Sequence, residues 1–446
     1  MHRLHPTKSV LDIARRLEAA GFEAWCVGGA IRDALLGGHP LDWDLATPAT
    51  PDRVIALFGR RRTIPVGIDF GTVSVLDDAG IAHEITTFRR DVKTDGRHAE
   101  VEFGASLDDD LARRDFTINA IAYRPHTEEL RDPFGGQADI AAGIVKAVGD
   151  AEQRMREDRL RALRAIRFAS RFGFAIEPAT RAAIDRSAPF LTRLSAERVQ
   201  QELVKTMEQV ARPAGALRLW RDSGALAVLI PSLATLGDLA LDTLDHLPRA
   251  TATWPASQRT SNRLAALFLD LPVPESGRAL AELRLSKHQA GWVVALAAGW
   301  QRIGGDMRAA LSAGAPTDEQ VRRWLAALGR LHAGAVLRVA SARWEAERLA
   351  GGSPPSAQSV RRLHRRMRRS QYHDPIQVAD LAIGGDELRQ LGIPAGPIFA
   401  KILQALLERV LEDPARNTRE ALLAEVPRIV AAAGGAGTVA HPSTEQ

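Results

Sequence analysis

The stretch WCVGGAIRD at residues 25–33 decides the fold at the start of this chain. Its paired glycines, Gly28 and Gly29, predict a tight turn between a strand and a helix. Such a turn lets backbone N–H groups approach a phosphate closely, and Arg32 follows it with a planar positive charge. A strand, a turn and a helix in this order therefore predict a phosphate-binding corner.

The neighbouring stretch HPLDWDLAT at residues 39–47 carries two aspartates, Asp42 and Asp44. On a strand, a spacing of two puts both carboxylates on one face, a few ångströms apart. Carboxylates so placed bind Mg²⁺ and repel each other without it. A phosphate-binding turn beside such a pair is typical of phosphoryl or nucleotidyl transfer.

Each of these two features also occurs as an ordinary turn or a solvated loop, so the segments that follow decide between the interpretations. Two strand-like segments form a predicted hairpin around the turn DDAG at residues 77–80. The motif-bearing segments are GTVSVL at 71–76, AHEITTFRR at 82–90, LARRDFTINAIAY at 111–123, DPFGG at 132–136 and REDRLRALRAIRF at 156–168.

In their order, these motifs resemble class II tRNA nucleotidyltransferases, the CCA-adding enzymes, and their bacterial poly(A) polymerase relatives. Both groups are polymerase-beta-like nucleotidyltransferases. The resemblance implies an α+β fold, with a head that contains a small mixed sheet and an all-helical neck, body and tail. The tail segment near residues 380–423 is similar to that of Bacillus-type CCA-adding enzymes.

Composition agrees with a cytoplasmic enzyme. The 446 residues are 45% hydrophobic and 25% charged, values typical of globular proteins. Charged residues interrupt every apolar run before membrane length, and the N-terminus lacks the apolar core of a signal peptide. The only cysteine, Cys26, reads as a buried core thiol and fits a reducing compartment. No membrane and no protein partner are expected.

Strand-like alternation ends near residue 150, and helical periodicity follows. Breaks rich in proline and glycine then divide the chain. The expected parts are a catalytic head at 1–150, a base-recognising neck at 151–215, a body at 216–350, an RNA-binding tail at 351–430 and a disordered C-terminus at 431–446.

The net charge of +5 rests largely on arginine, which suits bidentate contacts with phosphate. Two clusters stand out, RRR at 60–62 and RRLHRRMRRSQYH at 361–373. Either cluster can contact an RNA backbone, and either can be a solvated helix face.

The resemblance implies attack of an RNA 3′-hydroxyl on the α-phosphorus of a nucleoside triphosphate, with pyrophosphate leaving. Asp42 and Asp44 are the expected catalytic residues and Mg²⁺ ligands. Glu84 in HEITTF is the expected third carboxylate, with Asp115 in RRDFT as its rival. Glu84 can also be an ordinary surface residue of a strand.

Gly29 and Arg32 resemble the triphosphate-binding pair of the family. Arg114 resembles a further phosphate-contacting arginine, with Arg113 as the alternative. The remaining polar residues of the same segment, Thr117 and Asn119, are candidates to line the site or to cap a core helix.

One long helix is predicted over Glu157–Phe174, with charged residues at every third position. The simple interpretation is a basic solvated helix with an i,i+3 ion pair. The family motif EDxxR instead implies recognition of the incoming base by side chains, without a nucleic-acid template. The residues implied in nucleotide binding are Asp158, Arg161, Arg164 and Arg167.

The resemblance favours completion of CCA on tRNA from CTP and ATP. The segment DVKTDGRHAEVEFGASLDDDLA at 91–112 has full length, whereas CC-adding relatives are shortened there. A poly(A) polymerase or an A-adding specialist stays the alternative. Leu269 precedes Asp270 where many relatives carry a His-Asp pair, and His246 reads as a helix-end residue, so no second hydrolytic site is expected.

Overall fold

The computed structural model describes residues 4–65, 67–94, 99–248 and 256–434. The strands are β1 (Trp25–Val27), β2 (Asp44–Thr47), β3 (Thr63–Ile64), β4 (Thr72–Leu76), β5 (Ala82–Thr87), β6 (Arg89–Thr94), β7 (Ala99–Phe103), β8 (Ala122–Arg124), β9 (Glu129–Arg131), β10 (Ile144–Val145) and β11 (Ala175–Ile176). The predicted hairpin is β4 paired antiparallel with β5.

Helices and strands are interspersed up to residue 176, and the later elements of the described residues are helices. The early helices are α1 (Lys8–Ala19), α2 (Gly29–Leu35), α3 (Pro51–Phe58), α4 (Leu107–Ala112), α5 (Gly136–Ala142), α6 (Ala151–Glu157), α7 (Leu160–Phe172), α8 (Pro178–Ser187), α9 (Ala196–Gln209), α10 (Ala214–Asp222) and α11 (Ala225–Leu229). The later ones are α12 (Asp238–His246), α13 (Ala256–Phe268), α14 (Val273–Glu282), α15 (Lys287–Ala313), α16 (Asp318–Leu349), α17 (Ala357–His373), α18 (Gly385–Gln390), α19 (Pro397–Glu412) and α20 (Arg419–Gly434).

Two compact units divide the chain, one of Met1–Thr235 with Glu282–Arg284 and one of Leu236–Ala281 with Leu285–Gln446. A seven-stranded sheet in the order β3-β4-β5-β2-β1-β8-β9 lies in the first unit, and only the β2–β5 pair is parallel. The second unit is helical throughout its described residues. The expected α+β fold, with a small mixed sheet near the N-terminus and helices after it, is confirmed.

The sheet packs between two apolar layers that follow the alternation of its strands. Cys26 and Leu45 lie in one layer with helices α1 and α3, and Trp25 and Ala46 lie in the other. Cys26 is fully buried and free, and burial raises the pKa of its thiol. This arrangement gives each residue of β2 a defined face, which matters for Asp44.

The predicted single helix over Glu157–Phe174 is wrong in one respect. Helix α6 ends at Glu157, Asp158 has extended backbone angles (φ −147°, ψ 105°), and α7 begins at Leu160. The Asp158 carboxylate accepts a hydrogen bond from the Leu160 N–H at 3.0 Å, so it caps the second helix. Aspartate favours such caps because its side chain replaces the missing backbone acceptor. The break turns Asp158 from a helix-face residue into a junction residue.

Arginines of α7 hold this helix against the rest of the first unit. Arg167, only 3% exposed, pairs with the buried Glu202 of α9 and donates to the Gln209 side chain at 2.9 Å. Arg171 pairs with Asp33 of α2 at 3.1 Å. Helix α9 itself begins at Ala196, after the capping residue Ser195. Helix α7 is therefore tied by ion pairs to elements on both sides of it.

Glu202→Ala leaves the Arg167 guanidinium buried without its carboxylate. We expect the free energy of unfolding to fall by about 3–5 kcal/mol, as measured by urea denaturation. Asp12→Ala is the matched control, because it removes an exposed ion pair with Arg15 (63% exposed) and should cost less than about 1 kcal/mol. Equal losses in the two variants would show that the Arg167–Glu202 pair does not hold α7.

The division at Thr235 lies within the predicted body at 216–350, and the finer partition into neck, body and tail stays a prediction. Helix α20 continues to Gly434, four residues into the segment predicted to be disordered, while residues 435–446 lie outside the described part. Within the described residues, no helix combines the length and the apolar character needed to cross a bilayer.

Candidate active site

Three carboxylates meet at the N-terminal end of β2. Asp44 is the first residue of this strand, and Asp42 precedes it in the extended segment. Register pairs Leu45 of β2 with Ile85 of β5, so Asp44 lies level with Glu84 on the neighbouring parallel strand. Leu45 and Ile85 point into one apolar layer, and the alternation of a strand therefore directs Asp44 and Glu84 to the opposite face.

The neighbouring carboxylates and burial change the pKa of Asp44. Burial raises its pKa to about 6, the negative charges of Glu84 and Asp42 add to the rise, and the positive charge of Arg114 opposes it. Glu84 and Asp42 are themselves exposed. An ionised aspartate held near two other carboxylates is unfavourable unless a cation neutralises them. The cluster is therefore built for a positive ligand.

Asp44→Asn removes this repulsion without changing side-chain shape. Because the folded pKa is above the ordinary value of 3.8, ionised Asp44 disfavours the folded state above pH 6 and not below pH 3.8. We expect the metal-free variant to be more stable than the parent by about 1–2 kcal/mol at pH 7.5, a figure reduced for partial exposure. The measurement is thermal unfolding in chelator.

The gain should shrink as pH falls from 6 towards 4, and it should also shrink when excess Mg²⁺ binds the parent protein. Asp52→Asn, at an exposed aspartate in the first turn of α3, is the control and should change nothing. A destabilised Asp44→Asn protein at pH 7.5 would mean that Asp44 is satisfied by its neighbours rather than strained by them.

The glycine turn places Arg114 beside Asp44. Gly28 has φ 80°, in the left-handed region, and a Cβ there would lie 3.2 Å from Arg114 Nη1 and 3.9 Å from Asp44 Oδ2. Only glycine therefore suits this position, for both its backbone angle and its space. The turn between β1 and α2 forms as predicted, and it brings Gly28, Arg114 and Asp44 together.

Arg113 and Arg114 share one carboxylate. Both bind the fully buried Asp110 of α4, Arg113 at 2.7 Å and Arg114 at 3.1 Å. Burial alone raises the pKa of Asp110, but the two guanidinium groups lower it below its usual range. Arg114 alone of the two lies against the turn and Asp44, and its Nε atom is buried without a partner. The geometry therefore favours Arg114 over Arg113 as an anion-binding group.

Arg32, predicted to bind triphosphate together with Gly29, is buried behind the glycine turn. Its side chain is 4% exposed and packs with its guanidinium 4.9 Å from the Phe168 ring and 4.8 Å from the Phe172 ring. The Arg32 guanidinium also donates to Asp33 at 2.8 Å and to Asn119 at 2.5 Å. It reaches Gly29 from within the protein, since a Cβ there would lie 3.2 Å from Arg32 Nη2.

Asp115 is fully engaged elsewhere, which weakens it as the third carboxylate of the cluster. It accepts from Arg164 at 2.6 Å, from the Asn119 amide at 2.8 Å and from the backbone N–H of Phe116. Despite burial, which raises its pKa, Arg164 and Asn119 bring it below the usual range. Thr117 is likewise internal and donates to Asp139 at 2.6 Å. Glu84 is therefore better placed than Asp115 to be the third carboxylate of the cluster.

Asp158 and Arg161 do not pair with each other. Asp158 Oδ2 accepts from Arg198 of α9 at 2.7 Å, while Arg161 binds Glu157 at 2.8 Å and donates to the backbone carbonyl of Arg113 at 2.9 Å. The simple i,i+3 ion pair is thus not formed. Each group is held by a different element, which fixes both at the α6–α7 junction.

Residues 113–115 connect the two halves of the site. Arg114 faces the carboxylate cluster, the Arg113 carbonyl accepts from Arg161, and Asp115 binds Arg164. The motif RRD therefore joins the glycine turn to α7. Sequence reasoning missed the partners that fix these side chains. Asp110 binds Arg113 and Arg114 from just outside the RRD motif, and the more distant Glu202 and Arg198 bind Arg167 and Asp158. Only Glu157, which binds Arg161 at i,i+4 spacing, lies within a motif.

Among the described residues, no three His, Cys, Asp or Glu side chains converge into a complete metal-binding set. Mg²⁺ commonly takes only one or two carboxylates and completes its octahedron with water and substrate phosphates. Carboxylate oxygens, a raised Asp44 pKa and a nearby arginine for phosphate fit that mode of binding. The donor set present is therefore suited to Mg²⁺ arriving with a nucleotide.

A sheet-borne carboxylate cluster beside a glycine turn and an arginine defines a nucleotidyltransferase. Residues 24–146 match the Poly A polymerase head domain family, and residues 173–236 match the family described as a probable RNA and SrmB-binding site of polymerase A. The CCA-adding enzyme of Geobacillus thermodenitrificans is 37% identical over 94% of this chain and 96% of its own length.

The chain belongs to the class II CCA-adding enzymes. The CCA-adding enzyme of Latilactobacillus sakei is also 37% identical, over 93% of this chain and 96% of its own. The crystal structure of the Bacillus stearothermophilus CCA-adding enzyme in complex with CTP is similar with a TM-score of 0.75 and 32% identity. The match covers 96% of this chain and 98% of the Bacillus stearothermophilus chain.

Proposed function

We propose that this enzyme adds the 3′-terminal CCA sequence to tRNA from CTP and ATP, without a nucleic-acid template, and releases pyrophosphate. The observation that carries the proposal is the carboxylate cluster of Asp42, Asp44 and Glu84 beside Arg114. The choice of substrates is supported by similarity to CCA-adding enzymes over the full length of the chain. The single free Cys26 suits a reaction in the reducing cytoplasm.

Asp42 and Asp44 are the proposed metal ligands, with Glu84 as the third catalytic carboxylate. Mg²⁺ is the proposed ion, and when bound it lowers the pKa of the attacking hydroxyl and neutralises charge on the phosphates. Asp44 contributes a carboxylate already disfavoured in its free state, so binding of a cation relieves its repulsion with Glu84. Glu84, level with Asp44 on the parallel strand, adds negative charge to the same place.

Phosphate binding is assigned to the turn and to Arg114. The backbone at Gly28 and Gly29 has no side chain to keep a triphosphate away, and Arg114 supplies a guanidinium at the same place. Arg32 supports Gly29 from behind the turn, in contact with Phe168 and Phe172. We therefore propose that Arg32 positions the turn and that its positive charge acts on the phosphates from within the protein.

Base selection is assigned to the α6–α7 junction. The Asp158 carboxylate accepts from the exocyclic amine that cytosine and adenine share, and the Arg161 guanidinium donates to the adjacent ring nitrogen. Uracil and guanine carry a carbonyl at that position, so Asp158 would face an acceptor and reject them. Arg198 and Glu157 hold the two side chains in place. Arg164 and Arg167 anchor α7 through Asp115 and Glu202 and act on the base indirectly.

The proposed partition keeps catalysis at residues 1–150, base recognition at 151–215 and RNA binding at 351–430. Helix α17 supports the last assignment, because it carries the basic run at 361–373, with its apolar residues buried and most of its arginines exposed. Such a face suits the phosphates of a folded RNA.

The experiment that tests the function uses three tRNA transcripts, ending at the discriminator base, in C and in CC. Each is incubated with one labelled nucleotide, and the product ends are sequenced. A CCA-adding enzyme extends the first two with C and the third with A. Extension of only the CC-ended transcript would instead identify an A-adding specialist, and an untemplated A tail on all three would identify a poly(A) polymerase.

Metal and salt should act on different steps. We expect chelator to abolish nucleotide addition and Mg²⁺ to restore it, because the carboxylate cluster needs a cation. We expect tRNA affinity to fall steeply between 50 and 200 mM salt, because arginine contacts to phosphates release counterions, as measured by filter binding. Binding that does not change with salt would count against RNA contact through residues 361–373.

A further inference from the structure

A cavity of about 420 Å³ lies between helices α16 and α17 in the second compact unit. This volume is within the range of small-molecule sites, about 300–1,000 Å³. Its walls include the apolar side chains of Trp344, Pro355 and Val360. All the catalytic candidates belong to the first unit, so this cavity is separate from the site described above.

Positive charge surrounds the cavity and is only partly neutralised. Glu345 is the sole acidic residue of the lining, and it pairs with Arg348 at 2.5 Å. Arg361 and Arg365 also line the cavity and have no ion pair with any residue in the described ranges. They are four residues apart on α17, so their guanidinium groups share one face and repel each other. An anion at the rim would relieve that repulsion.

The interior of the cavity offers neutral polar groups rather than further charge. His364 lies between the two arginines in sequence, and burial, with the charges of Arg338 and Arg368, lowers its pKa below its usual range. Trp344, which is 3% exposed, adds its ring to the apolar wall, and Ser341 adds a hydroxyl to the lining.

We propose that this cavity binds one nucleotide unit, with its planar base against the apolar wall and its phosphate on Arg361 and Arg365. An apolar pocket with a cationic rim and a few neutral polar groups matches a base that carries a phosphate. The unit comes either as a free mononucleotide or as an unstacked nucleotide of bound RNA. This inference goes beyond the proposed function, and CCA addition can hold whether or not the cavity is used.

Photo-crosslinking of the full chain tests the proposal with two probes, 8-azido-AMP and a tRNA transcript containing 4-thiouridine. Labelled peptides are mapped by mass spectrometry. We expect saturable labelling of peptides within 341–365. Labelling by 8-azido-AMP assigns the site to free nucleotides, and labelling by the tRNA alone assigns it to RNA. Absence of label from 341–365 with both probes would overturn the proposal.

Three variants test whether the cavity itself binds the probes, rather than the general positive charge of α17. Arg361→Ser/Arg365→Ser should lower the labelling about tenfold, because two charge-assisted contacts are lost. Arg362→Ser/Arg369→Ser removes the same charge from exposed positions of α17 outside the lining and should keep most of the labelling by 8-azido-AMP, the probe that does not depend on RNA contacts along residues 361–373. Ala357→Leu, which fills the cavity and leaves its charge intact, should also lower it. Equal losses in the two arginine pairs would show only diffuse electrostatic attraction.

Discussion

Asp42→Ala and Asp44→Ala should each reduce nucleotide addition on the order of 1,000-fold or more, while tRNA binding largely persists. Each variant loses a carboxylate of the proposed metal site, which is worth several kcal/mol of charge stabilisation, and each 1.4 kcal/mol is a factor of about ten in rate. The two aspartates lie at or just before the start of β2, a central strand of the sheet in the first unit, whereas the exposed arginines of α17 belong to the second unit. The measurement is single-turnover addition of CTP in Mg²⁺, with tRNA affinity measured in parallel.

Asp52→Ala is the matched control, because it removes an exposed aspartate of α3 that is outside the carboxylate cluster. It should retain normal addition. Glu84→Ala tests whether Glu84 or Asp115 is the third carboxylate. Asp115 is already bound by Arg164 and Asn119. Normal turnover by purified Asp42→Ala or Asp44→Ala protein would remove both aspartates from catalysis.

Asp158→Ala should lose discrimination against UTP and GTP, because the carboxylate that repels their carbonyl groups is gone. Arg161→Ala should weaken the use of both CTP and ATP. Each missing hydrogen bond should cost roughly 1–3 kcal/mol, since the group left behind is partly buried and unpaired. Arg161→Lys should not restore full activity, because one ammonium cannot replace the bonds to Glu157 and the Arg113 carbonyl together with the base.

The measurement is kcat/KM for all four nucleotides on tRNA ending in C and in CC. Arg156→Ala is the control, because Arg156 is 65% exposed on α6 and pairs with the surface residue Glu152. Arg198→Ala is a separate test. It releases Asp158 from its 2.7 Å ion pair and should reduce discrimination between nucleotides without abolishing nucleotide addition. Unchanged selectivity in Asp158→Ala would place base choice elsewhere and leave the α6–α7 junction a scaffold.

Local sequence signals predicted the elements that carry the site. The paired glycines placed the β1–α2 turn, alternation placed β4 and β5, and the spacing of Asp42 and Asp44 placed two carboxylates near each other, although only Asp44 lies on a strand. These features depend on backbone preferences of a few adjacent residues, which a sequence displays directly.

Long-range pairing was not visible in the same way. The partners of Arg164 and Arg167 are 49 and 35 residues away, at Asp115 and Glu202, so periodicity alone left them on a solvated helix face. The break at Asp158 was missed because residues 151–172 contain no glycine or proline. A capping aspartate ended the helix instead, stabilised by its bonds to Leu160 and Arg198. Burial of Arg32 beneath the turn likewise follows from packing against Phe168 and Phe172.

The most direct test is a competition experiment with the unmodified enzyme. A tRNA transcript ending at the discriminator base is incubated with equal concentrations of all four nucleoside triphosphates and Mg²⁺, and the 3′ ends are sequenced. If side chains at the α6–α7 junction choose the base and the β2 carboxylates support its transfer, the dominant product ends in CCA and extension stops there. Products that incorporate U or G, or that continue as a run of A, would show that this chain does not select bases as proposed.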